Sequence, residues 1–268
     1  MKFSILIAHY NNAEYFKSCL ESIKKQSYEN WEAIILDDAS RDEEKEAIKQ
    51  LIKNDLRFKF YENKENLGVG FTKAKLIELA TGEICGFLDP DDALHHDALL
   101  KSINSYSNNV ATYSQFTLCD KDIKPIKKFR NTRLIKNNDK LFFNIFFEIT
   151  HFFTFKKSAY LKTSGINTSL TSAVDQDLYL KLYEIGDFTF INSSLYFYRL
   201  HDKGVSQDKM KKDKLKKNWE QVLFDTLKRR NIKVLYKNDT EKIENLTQLI
   251  YNNQYTLGYR IKKKIGIV

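Results

Sequence analysis

The chain has 268 residues, 42% hydrophobic and 13% aromatic, which is enough apolar material for a sizeable core and excludes a globally disordered protein. Its 2 Pro and 9 Gly exclude collagen-like and linker-rich sequences, and its 3 scattered Cys favour buried thiols over a disulfide framework or a zinc site. The apolar run after Met1 ends at His9 and is too short for a signal sequence or a membrane span, so we expect a cytoplasmic protein.

The formal net charge of +9 comes from one end of the chain. Residues 206–268 carry 16 Lys and Arg against 7 Asp and Glu, whereas residues 1–205 carry 28 of each kind. Because the body is neutral, we expect no nucleic-acid partner. The basic tail either rests on an anionic membrane surface, at the inner face of the cell membrane, or is a solvated helix face without a partner.

Short apolar runs alternate with amphipathic segments in the first hundred residues. The runs predict buried strands, and the segments between them have apolar residues at helical spacing. This alternation is typical of βαβ units, so we expect an α/β fold with a Rossmann-like, mostly parallel sheet and helices on both faces. The expected strands are 4–8, 33–36, 58–61 and 84–88, and the expected helices are 12–26, 43–52 and 72–80.

The rest of the chain is less regular. Its apolar runs predict three further strands, and its helical periodicity predicts four further helices, of which the third is amphipathic with a basic face. The expected strands are 152–155, 188–192 and 195–198, and the expected helices are 140–147, 173–183, 208–230 and 242–255.

Acidic residues follow two of the predicted parallel strands. Asp37-Asp38 ends the second strand, and Asp89-Pro90-Asp91-Asp92 ends the fourth. Ligands of parallel sheets bind beyond these carboxyl ends, and crowded carboxylates repel one another unless a cation or a donor-rich ligand lies between them. Mg²⁺ and Mn²⁺ bind carboxylate and phosphate oxygens together, which favours a metal and diphosphate site. The alternative is a turn that caps the next helix.

Residues 3–205 contain a series of short motifs that follow one another in the order found in one protein family. The motifs lie at 4–12, 34–42, 66–70, 86–92, 165–182 and 198–206. Together they resemble the inverting glycosyltransferases of family two, which have the A-type (GT-A) fold. The resemblance implies a nucleotide-sugar-binding half over 1–100, an acceptor-side half over 101–205 and a basic amphipathic helical tail over 206–268.

The resemblance implies donor-binding roles for residues in the first half. The turn at Ala8 and Tyr10 contacts the donor base, although the family usually has proline where Ala8 stands. Asp38 reads the base or the ribose. Lys73 supplies positive charge in a segment where the family usually has Ala-Arg-Asn.

The metal site is implied by the full match of 86–92 to the family's metal motif. Asp91 is expected to ligate Mn²⁺ or Mg²⁺, Asp89 to touch ribose or metal-bound water, and Asp92 to belong to the donor site. His201 is a second candidate ligand, with a surface or capped histidine as the alternative. Arg199 is expected to face the diphosphate.

Asp175 is the implied general base, which takes the proton from the acceptor hydroxyl as its oxygen attacks the anomeric carbon. A first-turn acid placed in the favourable helix dipole is the alternative. Val174 stands where the family usually has glutamate.

The expected function is transfer of a sugar from a nucleoside-diphosphate sugar, with UDP as the nucleotide, to a saccharide or lipid-linked acceptor in surface polysaccharide synthesis. The alternatives are a donor-binding pseudoenzyme, suggested by Val174, and a nucleotidyltransferase, disfavoured because residues 8–18 lack the glycines of a phosphate loop. The oligomeric state stays open, with a homo-oligomer among the alternatives.

Overall fold

The computed structural model describes residues 1–201 and 212–256, which form an α/β fold. Its strands are β1 (Phe3–His9), β2 (Trp31–Asp37), β3 (Phe58–Glu62), β4 (Ile84–Phe87), β5 (Ala93–Leu94), β6 (Ala111–Cys119), β7 (Pro125–Lys128), β8 (Phe153–Lys156), β9 (Phe188–Arg199), β10 (Val234–Leu235) and β11 (Asn238–Asp239). Its α-helices are α1 (Phe16–Lys24), α2 (Asp42–Ile52), α3 (Val69–Leu79), α4 (Ala98–Asn104), α5 (Lys157–Tyr160), α6 (Val174–Tyr183), α7 (Lys212–Arg229) and α8 (Leu246–Gln254).

The first four strands form the expected parallel sheet, in the order β3-β2-β1-β4. β2 and β4 are buried along their whole length, as strands covered on both faces must be. Alternate residues of β1 enter different cores: Ile5 and Ile7 pack with α1 and α2, whereas Leu6 packs with α3 and α6. The prediction of helices on both faces of the sheet is therefore confirmed.

The second half extends the same sheet with mixed directions, in the order β4-β8-β6-β9-β5. β8 is antiparallel to both β4 and β6, whereas β9 is parallel to β6 and antiparallel to β5. β9 is a single strand where the sequence predicted two, and its register against β6 shifts on either side of Gln115. Every strand pair of the first half is thus parallel, whereas the second half combines one parallel pair with antiparallel pairs.

One predicted helix is wrong. Residues 140–147 form turns and irregular structure, although Phe142 and Phe143 are buried in the core. Asn144 and Phe147 have φ of 50° and 55°, in the left-handed region that interrupts a right-handed helix. The buried phenylalanines therefore reflect packing of a loop against α6 and α7, which periodicity cannot distinguish from a helix.

α7 packs on the body of the protein. Trp219, Val222, Leu223 and Leu227 lie in the same core as α6, so the apolar face of this helix is covered by the rest of the protein. The predicted start of this helix at residue 208 and the basic cluster at 260–264 lie outside the described residues. The three cysteines are buried and unpaired, as predicted. Among the helices in the described part of the chain, none has the length and apolarity that a membrane crossing requires.

Candidate active site

The loop after β4 is braced against β9 through Asp92. The Asp92 carboxylate accepts hydrogen bonds from the Tyr196 hydroxyl at 2.7 Å and from the Arg199 backbone N–H at 2.7 Å. Burial, together with the charges of Asp91 and Asp89, raises the pKa of Asp92 well above its ordinary value. Asp92 therefore holds the loop in place. Its expected place in the donor site remains an untested prediction.

Asp91 and His201 meet at one side of this loop. His201 Nε2 lies 2.8 Å from Asp91 Oδ2, and the His201 ring lies 4.7 Å from the ring of Tyr15. His201 Nδ1 is buried and has no hydrogen-bond partner in the described part of the chain. A carboxylate and an imidazole that converge in this way are a donor set suited to Mn²⁺, and the carboxylate alone suits Mg²⁺.

Lys73 joins Asp89 to Asp175 across the site. Its Nζ lies 2.7 Å from Asp175 Oδ1 and 3.8 Å from Asp89 Oδ1. Burial opposes the charged form of Lys73, but the charges of Asp175 and Asp89 outweigh it and raise the pKa of Lys73. Burial likewise opposes the carboxylate of Asp175, yet Lys73 and His151 lower its pKa. Asp175 is therefore held as a carboxylate, the form that a base requires.

His151 belongs to this site, although the sequence singled out no role for it. Its charge is among those that act on both Asp89 and Asp175, and its ring stacks on Tyr196 at 4.8 Å between centroids. Partial burial raises the pKa of Asp89, against the opposing effects of Lys73 and His151. Because β8 runs antiparallel to β4, the segment just before β8, which includes His151, lies beside the carboxyl end of β4, and only the pairing of these strands reveals this.

Arg199 has protein partners at each of its guanidinium nitrogens. It donates to the backbone carbonyls of Asp91 and Lys121 and to Ser18 Oγ, and its guanidinium lies 4.5 Å from the centroid of the Tyr15 ring. The structure therefore places Arg199 beneath the Asp91 loop. This position favours holding that loop over direct contact with a diphosphate, which remains an untested prediction.

Asp38 is also engaged by the protein. It accepts hydrogen bonds from Asn63 Nδ2 at 2.8 Å, from the Leu67 N–H at 2.9 Å and from the Gly68 N–H at 2.8 Å. Gly68 has a φ of 86°, which favours glycine, and it immediately precedes α3. Asp38 thus anchors the loop that leads to the helix carrying Lys73.

The two residues expected at the base-binding turn lie at the end of β1. Ala8 pairs with Leu36 of β2, and Tyr10 is 53% exposed just beyond the strand. Ser40 Oγ accepts a hydrogen bond from the Asn11 N–H at 2.8 Å, which ties this turn to the segment after β2. Tyr10 is accordingly available to a ligand.

A second group of candidate metal ligands has a local explanation. The ligand atoms of His95, His96 and Asp97 lie within 4.8 Å of one another. However, His95 Nδ1 accepts the Asp97 N–H at 3.2 Å, and Asp97 accepts the Ser27 hydroxyl at 2.8 Å. These contacts are those of the turn that leads into α4.

The comparison with protein families matches residues 4–163 to glycosyl transferase family 2. The chain belongs to this family. The family resemblance inferred from the ordered motifs is thereby confirmed.

Curated relatives agree with this membership. Family 2 relatives include Escherichia coli chondroitin synthase, 32% identical over 86% of this chain and 33% of the relative, and the Bacillus subtilis protein described as "Putative teichuronic acid biosynthesis glycosyltransferase TuaG", 28% identical over 81% and 85%. The chain spans 27% to 33% of the length of the chondroitin and hyaluronan synthases that it matches.

The fold of this family 2 chain is shared with a solved structure. The S. aureus TarS 1–349 structure has a TM-score of 0.70 at 16% identity, over 98% of this chain and 74% of TarS. The expected α/β fold of the GT-A type is therefore confirmed.

Proposed function

We propose that this chain is a metal-dependent, inverting glycosyltransferase that moves a sugar from a nucleoside-diphosphate sugar to a saccharide or lipid-linked acceptor. The observation that carries the proposal is the Lys73–Asp175 ion pair next to Asp89, on the loop that also presents Asp91 to His201. A candidate base and two candidate ligands of a metal ion thus lie around the carboxyl end of β4.

Support for the donor comes from structural relatives. One TarS structure is described as a complex with UDP and another as a complex with UDP-GlcNAc. A mannosyltransferase from Pyrobaculum calidifontis, with a TM-score of 0.62 at 16% identity over 95% of this chain and 69% of that chain, is described as a complex with GDP-Man and Mn²⁺. We propose UDP for this chain, with Tyr10 and the Ala8 backbone at the base and Asp38 shaping the adjoining loop.

Asp91 and His201 would hold the metal ion. Asp91 offers a carboxylate oxygen and His201 an imidazole whose opposite nitrogen lacks a partner in the described residues. When bound, Mn²⁺ or Mg²⁺ neutralises charge on the departing nucleoside diphosphate. Asp92 and Arg199 keep the loop of Asp91 in place, and Asp89 faces the donor.

Asp175 would accept the proton of the acceptor hydroxyl. Its carboxylate is 30% exposed and can meet an incoming hydroxyl, while Lys73 keeps it ionised. Lys73 also places a positive charge between Asp89 and Asp175, where the diphosphate of a donor would find a counter-charge. Attack by an activated hydroxyl in one step, opposite the leaving nucleotide, inverts the anomeric centre.

The position of Val174 favours an active enzyme over a donor-binding pseudoenzyme. Val174 is 4% exposed and packs in the core beneath α6. Its side chain therefore lies away from the Lys73–Asp175 pair, and its replacement of the usual acid leaves that pair intact.

The acceptor and the cellular setting are proposals of the same kind. We propose surface polysaccharide synthesis, because several curated relatives are named for polysaccharide products or lipid-linked saccharides. A cytoplasmic enzyme at the inner face of the membrane would meet such an acceptor. Since the apolar face of α7 is packed on the body, membrane contact would fall to the basic cluster at 260–264.

The proposal is tested by thermal stability in the presence of UDP, GDP, dTDP or CMP, each with and without Mn²⁺. A ligand at about 100 times its dissociation constant adds about 2.7 kcal/mol of stability. We expect a shift with UDP that requires Mn²⁺. The absence of a shift with every nucleotide would contradict a donor site, and an equal shift with and without metal would contradict the role of Asp91 and His201.

A further inference from the structure

An aromatic groove lies between α7, α8 and the loop before β8. It has a volume of about 360 Å³ and is lined by Ile145, Phe147, Trp219, Thr247, Gln248 and Tyr251. Phe147 is 45% exposed and Tyr251 is 40% exposed, and a further ring, Tyr255, stacks on Tyr251 at 4.9 Å between centroids. Exposed aromatic rings grouped beside a concave surface are typical of a site that binds a ligand or a partner.

The backbone holds one of these rings outward. Phe147 has a φ of 55°, a conformation that bulky residues seldom adopt, and its N–H donates to the Asn144 carbonyl at 3.0 Å. Phe142 and Phe143, earlier in the same loop, are buried in the core. A strained backbone conformation thus places the Phe147 ring at the rim of the groove.

A polar atom in the groove lacks a partner. Thr247 Oγ1 is buried and makes no hydrogen bond within the described residues, although the Thr247 N–H donates to Glu220 at 2.8 Å. A buried hydroxyl without a partner is costly unless a ligand or water satisfies it. Gln248, on the same turn, adds an amide to the lining.

Both walls of the groove are tied to the part of α6 that carries Asp175. On one side Asn144 Nδ2 donates to Gln176 Oε1 at 2.8 Å, next to Asp175. On the other side the Asn218 amide contacts Ser172 Oγ at 2.8 Å, just before α6. The loop and the helix that line the groove therefore contact the segment that carries the candidate base.

The chemistry of the lining selects the class of ligand. Aromatic faces and hydroxyl or amide groups together suit a sugar ring, which has apolar C–H faces and hydroxyl edges. None of the six lining residues is charged, so the carboxylate of a uronic acid would find no cation among them.

We propose that this groove is a subsite for an uncharged sugar unit of the acceptor, at a position removed from the unit that receives the new sugar. That the bound sugar belongs to the acceptor rests on the proposed glycosyltransferase function. Binding of a saccharide in the groove does not depend on that function. It predicts that the chain binds an oligosaccharide more tightly than a monosaccharide, because only a chain of sugars reaches both Asp175 and the groove.

The test is calorimetric titration of the full chain with neutral N-acetylglucosamine and glucose oligomers, from monosaccharide to hexasaccharide, and with hyaluronan oligomers of matched length. We expect saturable binding of a neutral oligomer that strengthens with length. Tyr251→Ala and Thr247→Val should each weaken it, Tyr251→Ala by about tenfold or more. Tyr61→Ala, which removes a 39% exposed tyrosine on the edge strand β3, is the matched control and should have no effect.

UDP binding with Mn²⁺, measured on the same variants, separates this proposal from the previous one. Oligomer binding that depends on Tyr251 without any UDP binding would support the groove and contradict the donor site. UDP binding without oligosaccharide binding would overturn the proposed sugar subsite. Oligosaccharide binding that is unchanged in both groove variants would overturn it too. If oligosaccharide binding disappears as the protein self-associates, a second copy of the chain occupies the groove. That result would overturn the proposal as well.

Discussion

Asp37 ends β2 and Asp38 follows it, whereas Asp89, Asp91 and Asp92 follow β4, and the two strand ends satisfy their carboxylates in different ways. At β2, His9 Nδ1 lies 2.7 Å from Asp37, and backbone N–H groups of the loop before α3 surround Asp38. At β4, Asp92 alone is enclosed by donors of this kind from the part of the chain that the structure describes.

The remaining acids at β4 face cationic or titratable side chains. Asp91 meets His201, and Asp89 shares Lys73 with Asp175. β1 separates the two strand ends, so the two acidic clusters are not crowded against each other as the sequence suggested. The difference teaches that acids bound by backbone donors build a loop, whereas acids left facing side chains can exchange those partners for a ligand.

We expect the largest loss of turnover from a change at the proposed base, which faces the ligand. Asp175→Asn removes the proton acceptor and should lower turnover by about 10²–10⁴-fold while UDP still binds, measured by single-turnover sugar transfer and by calorimetry. Asp177→Asn is the control on the same helix turn. Its carboxylate bonds Lys181 at 2.8 Å and the Asn167 N–H at 2.9 Å, so this variant should lose thermal stability instead. Equal turnover of wild type and Asp175→Asn would remove Asp175 from the base role.

Asp91→Ala should abolish the metal-dependent part of nucleotide binding. The stabilisation by UDP and Mn²⁺, about 2.7 kcal/mol at 100 times the dissociation constant, should disappear from the thermal unfolding curve. His201→Ala should weaken the same effect less, because the charged carboxylate ligand of Asp91 remains. If the metal still enhances UDP binding to Asp91→Ala, the ion is held elsewhere.

Asp38→Ala tests the opposite strand end and should act on stability. Three donors lose their acceptor, which should lower the free energy of unfolding by about 2 kcal/mol in urea titrations. Asp122→Ala, an exposed acid in a turn, should change it by less than about 0.5 kcal/mol. A fully stable Asp38→Ala chain that fails to bind UDP would instead make Asp38 a direct ligand of the nucleotide.

The smallest expected effect is a change in acid sensitivity through Asp37. Burial opposes its carboxylate, but His9 and Ser40 outweigh it and hold the pKa of Asp37 below its ordinary value of 3.8. A depressed pKa contributes stability that is present above the ordinary value and lost as the pH falls through the lowered one. Asp37→Asn should therefore flatten the dependence of unfolding free energy on pH below 3.8. An unchanged slope would show that other carboxylates carry it.

Much of the first half could be predicted because its signals are local. Strands such as β2 and helices such as α2 follow from apolar runs and helical spacing, which survive without knowledge of the partner element. The segment 140–147 could not be predicted in the same way, since its phenylalanines are buried by contacts with distant helices. β5 and β6 were missed because their strand pairing depends on residues far along the chain.

In the candidate site too, some residues could be predicted from local motifs, whereas others depend on contacts with distant segments. Asp91, Asp175 and Lys73 were identified from ordered motifs, and the structure brings Lys73 and Asp175 into contact across 102 positions. The role of His151 depends on antiparallel pairing of β8, and that of Asp92 on its contacts with β9. Neither could be predicted from residues near them in sequence.

The sequence by itself determined the family, the alternation of strands and helices in the first half, and the residue types at the strand ends. Only the tertiary structure decided which acids bind backbone donors, which face Lys73 or His201, and that Phe147 and Tyr251 share a groove with Thr247. The reason is that local pattern reflects backbone geometry and burial within one element, whereas the partner of a polar or aromatic side chain is supplied by whichever distant segment packs against it.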